Sequence, residues 1–175
     1  MPARTNGPRR PCVLCYDGSE FARQAIQQSF SILGGGSAIV ITVYESLGSA
    51  LLRYAPSETT ELGRQFKEIS EDVVNDLDAG TARRAQATAD EGADLAVAAG
   101  FDAQPLARRA LSRTAERDTA TIWRAILELA DEREAAVLVV GARGASALGA
   151  ALLGSVSYGL VHNSKRPVLV MPPSN

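Results

Sequence analysis

The amino-acid sequence predicts one α/β domain: a doubly wound, five-stranded parallel sheet with helices on both faces. Three observations lead there. Short runs that are apolar almost throughout, such as Pro11 to Tyr16, Ala38 to Tyr44 and Val137 to Val140, read as strands buried on both faces. Between them lie segments whose apolar residues recur at helical spacing. The resulting order β-α-β-α-β-α-β-α-β supplies the crossover that each parallel strand needs, and such crossovers are right-handed.

Bulk composition fits this class. A chain of 175 residues, 46% hydrophobic and 22% charged, can bury one core as a globular domain. A net charge of −2 argues against a general nucleic-acid binder, which would present a basic face. No apolar run approaches the roughly 18 residues that cross a membrane. Residues 1–10 carry Arg4, Arg9 and Arg10 without the apolar stretch of a signal peptide. A short disordered tail is therefore expected, followed by a domain over 11–173, in a protein kept in the cytoplasm.

Taken in order, Cys12 and Cys15 of the first strand form a Cys-x-x-Cys, but residues three apart on a strand face opposite ways. Buried strand cysteines are expected rather than a redox pair or a metal site, since His162 is the only histidine. Asp17-Gly18-Ser19 ends the strand, and Ser19 or Asp17 caps a helix carrying Phe21, Ala22, Ala25, Ile26, Phe30 and Leu33 on one face. Gly34-Gly35-Gly36 stops it, and the second strand follows. Glu45 to Thr60 reads as an irregular excursion, either a lid bearing Leu51, Leu52 and Tyr54 or a plain surface loop.

Residues 60–99 are helical in pattern, as one bent helix or as two broken at Gly80 or Gly92, closed by Gly100. Asp102 to Leu111 is a weak strand whose Pro105 places it at the sheet edge. Thr119 to Glu134 is a helix with Trp123 in the core, and Val168 to Met171 is the last strand. Lys165 and Arg166, just before it, read as a solvated turn, and His162 as a capping or surface residue.

The chemistry concentrates after the fourth strand, where Gly141 and Gly144 precede Gly154-Ser155 and a short helix starting at Ser155. A strand, a glycine loop and a helix start with hydroxyls gather backbone N–H donors at the positive end of a helix, the setting that binds phosphate. Gly141, Gly144, Gly154, Ser155 and Ser157 supply amides and hydroxyls, and Arg143 either adds charge or stays solvated. Doubly wound sheets bind ligands at the carboxyl ends of strands where the winding reverses. That crevice falls between the first strand, ending at Asp17, and the fourth, ending at Gly141. Asp17 is placed to accept from a ribose hydroxyl or an exocyclic amine, or to cap the helix, and the two roles can coexist. The sequence has no Gly-x4-Gly-Lys-Ser/Thr and no Gly-x-Gly-x-x-Gly after the first strand, which excludes a P-loop NTPase and the dinucleotide fingerprint.

The spacing Gly-x2-Gly-x9-Gly-Ser, together with Val13-Leu-Cys-Tyr-Asp17-Gly-Ser-Glu and Asn163-Ser-Lys-Arg-Pro-Val-Leu-Val-Met-Pro172, resembles the universal stress protein family. The resemblance implies strand order 3-2-1-4-5 and a bound ATP, alone or with Mg²⁺. It implies that Cys15, Asp17, Val43 and Val140 line the nucleoside. Gly141, Arg143, Gly144, Gly154, Ser155, Val156 and Ser157 would then hold the phosphates. It further implies a homodimer through Val168–Met171 and, as in some members, autophosphorylation at Ser155 or Ser157. Ala142 departs from the small hydroxyl residue the family often has there. The expected function is that of an ATP-binding stress-response or signalling protein with slow or no hydrolysis, because no general base is visible. A non-nucleotide adaptor of the same fold, acting through a dimer or loop surface, is the alternative.

Overall fold

A computed structural model describes residues 10–46, 61–110, 120–142 and 153–173, excepting the side chains of 62–72 and 120–121. The tail over 1–9, the excursion over 47–60, and Leu111, Thr119, Arg143 and Gly144 lie outside the described residues.

Among the described residues nine elements follow in order: β1 (Cys12–Cys15), α1 (Glu20–Leu33), β2 (Gly36–Glu45), α2 (Glu61–Ala99), β3 (Phe101–Ala110), α3 (Ala120–Glu132), β4 (Val137–Gly141), α4 (Ser155–Asn163) and β5 (Val168–Met171). The strands make one five-stranded sheet in the order β3-β2-β1-β4-β5, and every neighbouring pair is parallel. This is the expected winding, with the reversal between β1 and β4.

Alternation along the strands sorts the core into two layers. Cys12, Leu14, Tyr16, Val40, Phe101, Val139 and Met171 pack under α1 and α2, against Ala22, Ala25, Ile26, Ala93 and Ala96. Val13, Ile39, Ile41, Leu138 and Val140 pack under α3 and α4, against Ile126, Leu129, Ala130 and Leu160. Strands sandwiched in this way must be apolar on both faces, which is why their sequence runs lack polar alternation. Cys12 and Cys15 point to opposite layers, as expected, and both are free thiols.

Gly80 and Gly92 do not break α2, which runs unbroken for 39 residues. At 1.5 Å per residue it is about 58 Å long, far longer than any strand beside it. Gly92 is there for space: a Cβ on it would stand 2.5 Å from the Tyr16 ring and 2.8 Å from Val40. The missing side chain lets the helix lie directly on β1 and β2.

The strands are unequal. β2 and β3 pair over ten residues, from Gly36↔Phe101 to Glu45↔Ala110, whereas β1 ends against Ile41. Thr42 to Glu45 and their β3 partners therefore extend about 13 Å beyond the end of β1. Pro105 sits on β3, the edge strand, where its missing donor costs no ladder bond.

One expectation fails. Arg166 is not solvated: its side chain is 22% exposed, its Nε donates to Asp131 at 3.1 Å and its Nη1 to the Ala135 carbonyl at 2.6 Å. The turn before β5 is thereby pinned to the end of α3, while Lys165 beside it is exposed. Among the described residues no helix is long and apolar enough to cross a membrane.

Candidate functional site

Two junctions stand on the carboxyl edge of the sheet, where a doubly wound fold places its ligand site. After β1 the chain turns through Asp17, Gly18 and Ser19 into α1. The Asp17 carboxylate accepts the Ser19 N–H at 3.0 Å, and the Ser19 hydroxyl accepts the Ala22 N–H at 3.2 Å as N-cap. Ser19 is thus the cap, and Asp17 folds the turn that leads into it. Gly18 takes φ +79°, a conformation that strains a residue with a Cβ. Asp17 stands exposed above the sheet edge.

After β4 the second junction closes on itself. The Ala142 N–H donates to the Met171 carbonyl at 2.8 Å, and the Gly154 N–H donates to the Ala142 carbonyl at 2.8 Å. Ser157, 1% exposed, donates its hydroxyl to the Gly141 carbonyl at 2.8 Å. Residues separated by a dozen positions in sequence are therefore joined, and α4 begins where β4 ends. The first α-helical bond of α4 runs from the Tyr158 N–H to the Gly154 carbonyl, so the amides of Ser155, Val156 and Ser157 have no acceptor within the helix. Gly154, as N-cap, offers no side chain to them. A nine-residue helix starting in this way carries free-ended N–H groups and a partial positive charge at its N-terminus.

β1 and β4 are adjacent and parallel, so Asp17 and the start of α4 share one edge of the sheet. Of the expected nucleoside residues, Cys15, Val43 and Val140 all belong to the layer under α3 and α4. Val43 lies two residues beyond Ile41, on the protruding part of β2. Of the expected phosphate residues, Gly141, Gly154, Ser155, Val156 and Ser157 come together. Ser155 is exposed, Val156 is half-buried, and the Ser157 hydroxyl faces inward. The Ser157 side chain therefore ties α4 to β4.

Burial pushes the Cys12 thiol up to about 11. Burial, with a smaller contribution from the Asp17 charge, pushes Cys15 up to about 12. Neither is a thiolate near neutral pH, so neither is a ready nucleophile. His162 stacks on Tyr158 with ring centroids 4.0 Å apart and is exposed.

The sequence reading missed Tyr16, Arg23 and Glu91. Tyr16 is 2% exposed, its N–H donates to Ile41 and its carbonyl accepts the Thr42 hydroxyl at 2.9 Å. Its phenol donates to Glu91 of α2 at 2.8 Å, and Arg23 of α1 meets the same carboxylate oxygen at 2.7 Å. Burial and then the Glu91 bond push the Tyr16 phenol up to about 12. The Tyr16 hydroxyl, followed by Arg23, holds the Glu91 carboxyl below its usual range. A tyrosine inside an apolar strand signals a buried hydroxyl in need of a partner. A glycine in mid-helix at position 92 signals a close approach. Read together, those two residues would have pointed to Glu91.

Fold and site define a doubly wound α/β protein with a helix start at its switch point whose first amides have no acceptor within the helix. The profile of the universal stress protein family matches residues 8–172, and the chain belongs to that family. Among solved structures, the protein MJ0577, the subject of a structure-based assignment of biochemical function, aligns with a TM-score of 0.68 at 19% identity. That alignment covers 97% of this chain and 99% of MJ0577. A universal stress protein in complex with cAMP is 28% identical, with a TM-score of 0.55 over 96% of this chain and 100% of its own. The universal stress protein from Archaeoglobus fulgidus in complex with dAMP is 15% identical, with a TM-score of 0.54 over 94% and 98%. No curated protein matches the chain significantly.

Proposed function

We propose that the chain is an ATP-binding universal stress protein, acting in the cytoplasm through nucleotide-dependent conformation or partner choice. The observation that carries this reading is the bond from the Gly154 N–H to the Ala142 carbonyl. It brings the end of β4 to the start of α4, on the sheet edge that also holds Asp17. The residues present suit a nucleotide: amides at a helix start without helical acceptors for phosphates, and a carboxylate one strand away for ribose or base. Cys15, Val43 and Val140 would flank the nucleoside, and the amides of Ser155, Val156 and Ser157 would hold the phosphates, with Gly141 and Gly154 letting them approach the backbone closely. Arg143 and Gly144 would complete the phosphate contacts. Related proteins solved with cAMP and dAMP support an adenine nucleotide as the ligand class.

Among the described residues no three His, Cys, Asp or Glu side chains group closely enough to hold a metal ion. Mg²⁺ would thus arrive coordinated by the triphosphate. Ser155, exposed at the helix start, is the better placed acceptor if the protein phosphorylates itself, since Ser157 is buried and already bonded. Dimerisation would use the apolar edge of β5, whose Val168, Leu169 and Val170 are half-buried. The exposed Tyr158 and Val161 of α4 favour a second reading, an adaptor that works through this surface without nucleotide.

Thermal unfolding with and without ATP separates the two readings. At a concentration about 100 times the dissociation constant, ATP should stabilise the fold by about 2.7 kcal/mol and raise the melting temperature. Gly154→Val, which places a branched side chain at the helix start, should abolish the shift. A melting curve unmoved by millimolar ATP overturns the nucleotide reading. A stable dimer with such a curve supports the adaptor.

A further inference from the structure

We infer that Glu91 is a positioning residue for the nucleoside site: by holding Tyr16 and Arg23 at once, it ties both ends of the Asp17 turn to α2 and so fixes where the Asp17 carboxylate points. The inference rests on the nucleotide reading above and adds to it a residue on a distant helix.

The geometry is a clamp. Tyr16 is the residue before Asp17, and its phenol donates to Glu91 Oε1 at 2.8 Å. Arg23, in the first turn of α1, donates its Nη2 to the same oxygen at 2.7 Å. Arg23 also reaches back to Glu20, the first residue of α1, at 3.4 Å. One carboxylate therefore anchors the chain immediately before the turn and the helix immediately after it. The turn itself leans on the same stretch of α2, since a Cβ on Gly18 would touch Thr88 Cγ2 at 3.6 Å. Gly92 brings α2 close enough for all three contacts.

Neither Tyr16 nor Glu91 faces the crevice edge on which Asp17 is exposed, so the clamp acts through the turn. Tyr16 is buried in the layer under α1 and α2, whereas Cys15 and Val140 lie in the opposite layer. The bonds are charge-assisted, which makes them more directional than neutral ones. Holding a ligand-binding carboxylate in one rotamer spares the site the entropy of ordering it on binding. The clamp also gives α2 a mechanical route to the site. Beyond Thr88 toward its start, the helix runs on past the end of β1.

The test is a double-mutant cycle on ATP affinity by titration calorimetry, with Glu91→Ala, Asp17→Asn and the pair, together with hydrogen exchange over Gly18–Ser19. Glu91→Ala is expected to weaken ATP on the order of tenfold, a loss common for partners one layer removed from a ligand. In the Asp17→Asn background it should cost almost nothing more, because there is no carboxylate left to orient. Tyr16→Phe, which removes only the hydroxyl, should reproduce the effect more weakly. Exchange at Ser19, whose N–H is held by Asp17, should quicken in Glu91→Ala with no ATP present. Additive losses, or faster exchange with unchanged affinity, overturn the positioning role and leave an ordinary surface contact. If the wild-type protein binds no ATP, the nucleotide reading fails and takes this role with it. The exchange rates then still show whether the clamp holds the turn.

Discussion

The turn after β1 and the junction after β4 stand side by side on one edge of the sheet, yet different parts of the chain hold them. The β4 junction is fixed locally, by backbone bonds from Ala142 and Gly154 and by the Ser157 hydroxyl. The β1 turn has its own bonds to Asp17 and Ser19 and is held from outside as well, through a tyrosine and an arginine that meet on Glu91, a residue 75 positions from Tyr16 and 68 from Arg23. The lesson is that amides and acids need different support. Backbone donors are aimed by secondary structure itself, whereas the Asp17 carboxylate, bonded to the Ser19 N–H at 3.0 Å, points where its turn is held.

The largest expected effects come from the two glycines that let a helix settle over each side. A Cβ on Gly159 would drive into the indole of Trp123, on which α4 rests, and one on Gly92 would drive into Tyr16. Gly159→Ala and Gly92→Ala should each lower stability by about 1–3 kcal/mol, read as urea midpoints. The comparison sharpens if ATP affinity falls in both while hydrogen exchange rises at the start of α4 only for Gly159→Ala. It should rise at Gly18–Ser19 only for Gly92→Ala. Exchange spreading equally through both junctions would mean that the two sides are one unit.

Smaller effects are expected from the hydroxyls. Ser157→Ala removes the bond to the Gly141 carbonyl and should cost about 1 kcal/mol. Ser19→Ala removes the cap of α1 and should cost a similar amount, about 1 kcal/mol. Ser157→Ala should also loosen phosphate binding, so that ATP weakens more than AMP or adenosine does. Ser19→Ala should weaken all three ligands alike.

The smallest effect is a pH dependence at the alkaline end. The Cys12 and Cys15 thiols are raised from 9.0 to about 11 and about 12, chiefly by burial. Folded protein keeps these protons where the unfolded chain has lost them, so their stabilisation is complete below about pH 9 and fades as the pH climbs toward the folded values. The urea midpoint should fall between about pH 9 and about pH 11, and a Cys12→Ala, Cys15→Ala double variant should flatten that slope. Equal slopes in both proteins would contradict the burial of the thiols.

Much of this architecture was legible in sequence because local pattern and tertiary role agree. The apolar runs at Val13, Ile39 and Leu138 gave strands buried on both faces, and Pro105 marked the edge. Ser155 to Asn163 and Val168 to Met171 have the expected bounds. Within the glycine junction, the expected meeting of Gly141 with Gly154 to Ser157 was legible for the same reason, since strand end and helix start are each written locally. Three features were not. Gly80 and Gly92 left α2 ambiguous, because a glycine that ends a helix and one that admits a neighbour look alike in sequence. Arg166 read as solvent-facing because its partners, Asp131 and the Ala135 carbonyl, come from another element. Glu91 looked like one more charge on an exposed helix until folding brought Tyr16 to it.

The central claim is that an acid near the start of the chain and amides near its end bind one nucleotide between them. Calorimetric titration of ATP into the purified protein, beside Asp17→Ala and Gly154→Val, tests it most directly. Saturable binding at one site per chain, weakened by Asp17→Ala and lost in Gly154→Val, is the expected result. Absence of binding heat in the wild type, or an affinity that neither substitution changes, would contradict it.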